Sequence, residues 1–243
     1  MIEADTIQFA PIRNYNYEEY FQKFRHNGKV LSVKEREKFI KVLDESITQY
    51  SEGLPMIKEA LGICDGKEDE FLHEYRTVLS VYLFVVITYI DCLVISKYFL
   101  LADTDCDKRF MRGKMKVILN EGFKNLYGFN KNTRNKTEWR RLIRAVELCP
   151  EIIKCQYSDL SEKLEEHSKS SSWWKEERNL ETHLDAEKLY ESRCEEIEES
   201  SVMMDITKLF STLYAIQLFL TNVHTCFHNT IIRVYENQEV AND

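Results

Sequence analysis

The sequence predicts an all-α protein, an antiparallel up-and-down bundle of five to seven helices. The 243 residues include only seven glycines and three prolines, whereas a β-rich fold needs many turns built from both. Apolar residues recur every three or four positions along most of the chain, and no segment alternates apolar and polar residues as a strand does. Hydrophobic residues make up 44% and charged residues 30%, which is typical of a globular protein.

We expect three segments: an N-terminal extension over residues 1–31, a single helical bundle over 32–236 and a C-terminal tail over 237–243. The extension carries aromatic residues at helical spacing, which predicts a short amphipathic helix after Asn16, with the apolar residues Tyr17, Tyr20, Phe21 and Phe24.

The bundle begins with a capping box, Ser32 followed by Glu35, in which each side chain satisfies a backbone donor of the other. The apolar positions that follow predict a helix that ends by Gly53, because Pro55 disfavours helical geometry at Leu54. A further helical turn is expected over residues 57–61.

The longest apolar stretch, residues 78–102, is long enough to cross a membrane. Asp91 lies near its centre and Lys97 follows, and ionisable groups at that depth are costly. We therefore expect a buried central helix and no membrane partner. Asp91 either faces the interior of a site or lies at a helix edge in contact with water.

The later helices follow the apolar pattern in turn. We expect helices from Asp105 to Leu126, from Trp139 to Leu148, and from Pro150 through Leu164. Residues 168–172 read as a small serine-rich linker. From Ile206 to Val234 the pattern is the most regular in the chain and predicts one long amphipathic helix.

Charge is distributed unevenly. The net charge is −8, but residues 108–144 contain six lysines and six arginines against two glutamates, a net +10 that leaves −18 for the remainder. Such a block predicts a surface for an anion such as RNA, although a solvated helix face is the alternative. The candidate RNA-binding residues are Lys108, Arg109, Arg112, Arg140, Arg141 and Arg144.

The cysteines and the N-terminus indicate a cytoplasmic protein. The seven cysteines are an odd number and form no C-x-x-C motif, so we expect reduced thiols. The first residues lack the basic and apolar regions of a signal peptide.

The candidate catalytic residues are Arg178, Asn179 and His183, within a segment that opens like a helix. On a helix Asn179 and His183 share a face, whereas Arg178 and His183 are about 140° apart around the axis. A second copy of the segment across a two-fold axis would close the groove between them. Alternatively, Arg178 pairs with a neighbouring glutamate and His183 lies at a helix C-terminus.

These groups fit RNA cleavage by internal transesterification, in which the 2′-hydroxyl attacks the adjacent phosphate. A histidine has the pKa range to act as base or acid near neutral pH. A guanidinium can hold two phosphoryl oxygens as charge develops. The reaction requires no metal or other cofactor.

The stretch Arg178-Asn179-x-x-x-His183, late in an all-helical bundle and preceded by a basic region, resembles the HEPN superfamily. That resemblance implies an up-and-down bundle, often a homodimer with paired motifs at the interface. It also implies a metal-independent ribonuclease of a toxin–antitoxin or abortive-infection system, with Arg178 and His183 as the catalytic pair, Asn179 in support, and an antitoxin partner protein. Some members of the superfamily keep the bundle for binding and do not cleave RNA.

Two other interpretations stay open. A non-catalytic module would bind RNA, a nucleotide or a partner protein through the same basic surface, and an interaction protein would use the wide apolar stripe of the last helix. The pair His224 and His228 lies four residues apart and could share a metal, but no third ligand is evident beside it. We therefore interpret both histidines as partly buried polar residues and expect no metal site.

Overall fold

The structure is a computed structural model that describes residues 32–66, 69–129, 136–170, 187, 190 and 199–240, with side chains of the last helix described from 210 to 233. The described residues form only helices and turns, which confirms the all-α prediction. The helices are α1 (Val33–Cys64), α2 (Glu70–Leu101), α3 (Asp105–Leu126), α4 (Glu138–Arg141), α5 (Ile143–Glu147), α6 (Glu151–Ser170) and α7 (Glu199–Val240). The expected N-terminal helix lies outside the described residues.

Helices α1 and α2 run antiparallel, as a series of contacts along their length shows. The guanidinium of Arg36 near the start of α1 donates to the carbonyl of Leu100 near the end of α2 at 3.3 Å. Towards the other end, Arg76 pairs with Asp65, just after α1, at 2.7 Å. The bundle is thus built from helices that alternate in direction, as expected.

Helices α2 and α7 also run antiparallel. Tyr75 near the start of α2 stacks on His224 in the second half of α7, and Tyr89, further along α2, meets Phe210 in the first half of α7 edge to face. Such pairs hold the two apolar faces together through large buried side chains.

Helix α2 is the centre of the bundle. It has extensive contacts with α1, α3 and α7 and smaller ones with α4 and α5. Among the described helices it alone is long and apolar enough to cross a membrane, with a mean hydropathy of 2.4. Since 56% of that stretch is buried inside the protein, its packing matches the central helix expected from the sequence. Asp91 lies on its exposed side.

Helix α1 begins with the predicted capping box. The backbone N–H of Ser32 donates to the Glu35 carboxylate at 3.0 Å, and the Ser32 hydroxyl accepts from the Glu35 backbone N–H. The predicted end at Gly53 is wrong, because α1 continues through Pro55 to Cys64. Beyond the proline, Ile57, Ala60 and Cys64 are buried against the core, and this burial offsets the backbone hydrogen bond that proline cannot make.

Helix α3 has the predicted bounds. Thr104 caps it by accepting from the backbone N–H of Asp107 at 3.1 Å. Gly122 lets α3 approach α2 closely, since a methyl group at that position would lie 2.8 Å from Cγ2 of Thr88.

The predicted helix from Trp139 to Leu148 is two short helices, α4 and α5, that meet at Leu142. At the break the backbone N–H of Leu142 donates to the carbonyl of Trp139 at 3.3 Å. This bond spans three residues, as in a 3₁₀ turn, where an α-helix would span four. Helix α6 follows Pro150 as expected but continues to Ser170, so the first part of the predicted serine-rich linker is helical. Helix α7 likewise extends beyond the apolar pattern at both ends.

Candidate nucleic-acid interface

The hexapeptide that the sequence singles out, with Arg178, Asn179 and His183, lies outside the described residues. In the sequence it lies after the end of α6 at Ser170 and before the start of α7 at Glu199. The geometry that the structure provides therefore concerns the basic residues and the buried polar groups of the bundle.

The first group of candidate RNA-binding residues lies on the N-terminal half of α3. Lys108, Arg109 and Arg112 are each partly buried, and none of them is a free cation, because all three take part in further interactions. Cations already held in this way lose part of their interactions when they turn towards a phosphate.

The second group, on α4 and α5, is exposed. Arg140, Arg141 and Arg144 all reach the solvent, as predicted. Arg141 is tied to Glu138 by a 2.7 Å ion pair. No ion pair of Arg140 or Arg144 is found within the described part of the chain. These two arginines are the freest cations of the candidate set.

Trp139 fixes the position of this second group. Its ring is buried and stacks on Tyr157 of α6 with centroids 4.8 Å apart. The indole N–H donates to the Ser161 hydroxyl at 2.9 Å, and the Tyr157 hydroxyl donates back to the Trp139 carbonyl at 3.0 Å. Burial raises the pKa of Tyr157 to about 12, although the charge of Arg140 opposes this rise. The phenol therefore stays protonated and keeps the turn anchored at any physiological pH.

Contacts with α2 show where each group of candidate RNA-binding residues lies along the axis of the bundle. The Gly122–Thr88 contact between antiparallel α3 and α2 places Arg112 level with Tyr98, near the end of α2. The first group therefore lies at the end of the bundle where α2 finishes and α3 begins.

The second group lies closer to the opposite end. Trp139 contacts Phe219 of α7 at 5.4 Å between ring centroids. The pairing of Tyr75 with His224 and of Tyr89 with Phe210 places Phe219 level with Ser80 of α2. At 1.5 Å per residue, the two groups of cations are about 27 Å apart along the bundle. They can contact different phosphates of one strand, but they do not converge on one.

An acidic cavity occupies the surface of α6. It has a volume of about 410 Å³ and is lined by Ser158, Ser161, Glu162, Glu165 and Glu166. The Glu165 carboxylate accepts from the Tyr127 hydroxyl at 3.1 Å and pairs with Lys169 at 3.0 Å. A carboxylate lining repels phosphate, so this cavity does not extend the candidate RNA-binding surface.

Two histidines of α7, the buried His224 and the partly buried His228, form a polar cluster with α2, and the sequence did not predict their partner. His224 is 6% exposed, and its Nδ1 is hydrogen-bonded to the Tyr75 hydroxyl at 2.9 Å. The His228 ring stacks on that of His224 at 5.8 Å, and its buried Nε2 has no hydrogen-bond partner among the described residues. Burial, together with the neighbouring His228, lowers the pKa of His224 to about 4. No group of three or more metal-ligating side chains occurs in the described ranges.

Comparison with known proteins adds no relative. No family model, no curated protein and no solved structure matches this chain.

Proposed function

We propose that this protein is a metal-independent endoribonuclease of the HEPN type. The observation that carries the proposal is the sequence Arg178-Asn179-x-x-x-His183 within an all-α bundle. In this proposal His183 exchanges a proton with the 2′-hydroxyl or the leaving 5′-oxygen, and Arg178 holds the phosphoryl oxygens while charge develops. On a helix Asn179 and His183 would share a face, and in this proposal Asn179 supports the phosphate or the base.

The exposed arginines of α4 and α5 support the RNA part of the proposal. Arg140 and Arg144 project from short helices whose start Trp139 anchors, so little backbone freedom is lost when they meet a phosphate. They give the substrate a positive surface in a chain with a net charge of −8.

The remaining features of the proposal concern the assembly. Arg178 and His183 would come from different sides of a helix, so the site needs a second subunit, and we propose a homodimer with paired motifs. An antitoxin partner that covers the site, as in toxin–antitoxin or abortive-infection systems, would keep the ribonuclease inactive. The odd number of cysteines, without a C-x-x-C motif, favours a reducing compartment, and we propose that the protein acts in the cytoplasm.

The experiment is a cleavage assay of the full chain on diverse RNAs in EDTA. Wild type should produce 2′,3′-cyclic phosphate ends, and His183→Ala should reduce cleavage at least about 100-fold. The matched control is His73→Ala, which removes an exposed histidine from the surface of α2 and should leave the rate unchanged. Equal cleavage by wild type and His183→Ala, or no cleavage of any RNA by wild type, would refute the ribonuclease proposal.

A second candidate is a non-catalytic module that binds RNA, a nucleotide or a protein. The exposed, anchored arginines favour it, because they require no contribution from the hexapeptide. Arg144→Ala should weaken RNA binding and reduce the dependence of log K on log salt by about one unit per lost phosphate contact. Lys41→Ala, an exposed cation of α1, serves as the control. RNA binding that does not change with salt would count against this module.

A further inference from the structure

Two cysteines that are far apart in the sequence lie together in the fold. Cys149 lies between the end of α5 and the start of α6, and Cys226 lies in the second half of α7. Both are free thiols. Cys149 is buried in the hydrophobic core, whereas Cys226 is partly exposed and packs against that core. The pair therefore combines one cysteine that solvent reaches with one that it does not.

The packing of α6 against α7 shows how these cysteines meet. The rings of Tyr157 in α6 and Phe219 in α7 lie 5.9 Å apart between their centroids. The side-chain amide of Asn222 in α7 donates to the side-chain oxygen of Gln156 in α6 at 3.2 Å. The residue numbers of these two pairs add up to 376 and 378, so a step forward along α7 is matched by a step back along α6. The two helices thus run antiparallel.

This register brings the two thiols to the same place. It pairs position 226 with positions 150–152, which directly follow Cys149 in the chain. Cys226 is seven residues, or about two turns, beyond Phe219 and lies on the same face of α7, which is the face towards α6. The thiols are near enough to affect each other, because burial and then the neighbouring Cys226 raise the pKa of Cys149 to about 12.

The backbone around Cys149 holds its thiol in position. The thiol donates to the carbonyl of Ala145 at 3.4 Å, and the backbone N–H of Cys149 donates to the carbonyl of Val146 at 3.0 Å. On the other side, the backbone N–H of Ile153 donates to the carbonyl of Pro150 at 2.9 Å, which begins α6. Since the other cysteine lies within a long helix, both thiols are fixed, and reaction between them is favoured over reaction with another molecule.

We propose that Cys149 and Cys226 form a redox-sensitive lock, a disulfide that closes when the protein meets a low-molecular-weight disulfide such as oxidised glutathione. The partly exposed Cys226 reacts first: its thiolate attacks one sulfur of the small disulfide and releases one small thiolate. The sulfur of Cys149 then attacks that of Cys226 in the mixed disulfide and releases the second small thiolate. The two protein thiols lose two electrons, and their protons pass to the two released thiols. The small disulfide is thereby reduced.

The lock ties the start of α6 to α7. Closing a loop over residues 150–225 removes much of the freedom of the unfolded chain and so favours the folded state. Disulfides of this kind in a reducing compartment are usually transient and respond to oxidation. The proposal does not depend on ribonuclease activity.

The experiment treats the full chain with oxidised glutathione, blocks the remaining thiols with N-ethylmaleimide and maps the disulfides by mass spectrometry of unreduced peptides. Wild type should give a peptide pair joined through Cys149 and Cys226, which dithiothreitol separates. The equilibrium constant for unfolding in urea should be at least about tenfold smaller in the oxidised protein than in the reduced protein. Cys226→Ser should lose both effects. Cys106→Ser, which removes an exposed thiol of α3, should keep both.

Four results would overturn the proposal. In the first, the oxidant modifies the exposed Cys106 and Cys155 of wild type, but no Cys149–Cys226 pair forms. In the second, the pair forms only in urea, and in the third Cys226 is joined to a different cysteine. In the fourth, the cross-linked protein unfolds as readily as the reduced one. Circular dichroism checks that Cys226→Ser is folded, and Cys226→Ala provides the same test if it is not.

Discussion

The buried His224 makes the stability of the bundle depend on pH. Its pKa is lowered from 6.5 to about 4 in the folded protein, first by burial and then by the neighbouring His228. Between about pH 4 and pH 6.5 this histidine therefore binds more protons in the unfolded chain than in the folded chain. The stabilising contribution is complete above that pH and is lost as the pH falls from 6.5 towards 4.

The magnitude follows from the change in pKa. Because the pKa is lowered by about 2.5 units, the free energy of unfolding should fall by about 3 kcal/mol between neutral pH and pH 4. About 2 kcal/mol of this is lost by pH 5. Most carboxylates remain ionised at pH 5, so the loss between pH 7 and pH 5 reports mainly on histidine.

The comparison uses a variant without the titrating group. His224→Phe alone would leave the buried Tyr75 hydroxyl without its partner, so His224→Phe is combined with Tyr75→Phe, which removes both partners of that hydrogen bond. Urea unfolding at pH 7 and pH 5 should show a loss of about 2 kcal/mol in wild type that largely disappears in the double variant. His73→Gln, a substitution of an exposed histidine, should behave as wild type. A parallel loss in wild type and the double variant would refute the reasoning.

Three further predictions concern packing and caps, and urea unfolding at pH 7 tests each. Gly122→Ala should destabilise the protein by about 1–3 kcal/mol, because its methyl group would meet Thr88, and an unchanged midpoint would show that the helices separate freely. Gly53→Ala should stabilise α1 by about 0.5–1 kcal/mol, since nothing lies within 4 Å of the added methyl, and destabilisation would contradict the open site. Ser32→Ala should cost about 1 kcal/mol through loss of the capping box with Glu35, whereas no change would mean that water replaces the cap.

Local signals in the sequence identified the helices well. The Ser32 capping box and the bounds of α3 depend on neighbouring residues, and the structure confirms both. The passage of α1 through Pro55 was mispredicted, because burial of Ile57 and Cys64 is a tertiary effect that local propensity does not contain.

In the candidate sites, too, local features could be predicted from the sequence, whereas contacts between distant residues could not. Exposure of Arg140 and Arg144 followed from helical spacing and is confirmed. The hydrogen bond of His224 joins residues 149 positions apart, so no local pattern pointed to Tyr75. The roles of Arg178, Asn179 and His183 stay predictions. The proposed site needs a second subunit, and the sequence does not specify where that subunit would bind.

One hydrogen bond in the core bears on why the chain adopts a single arrangement. The Tyr50 hydroxyl of α1 donates to Oε1 of Gln217 of α7 at 3.1 Å, and Gln217 is fully buried. Apolar side chains could exchange partners if α7 slid by one helical turn, but the amide would then lose its donor at a cost of about 1–3 kcal/mol. The amide widens the free-energy gap between the native packing and its shifted competitors, so its contribution is to uniqueness more than to stability.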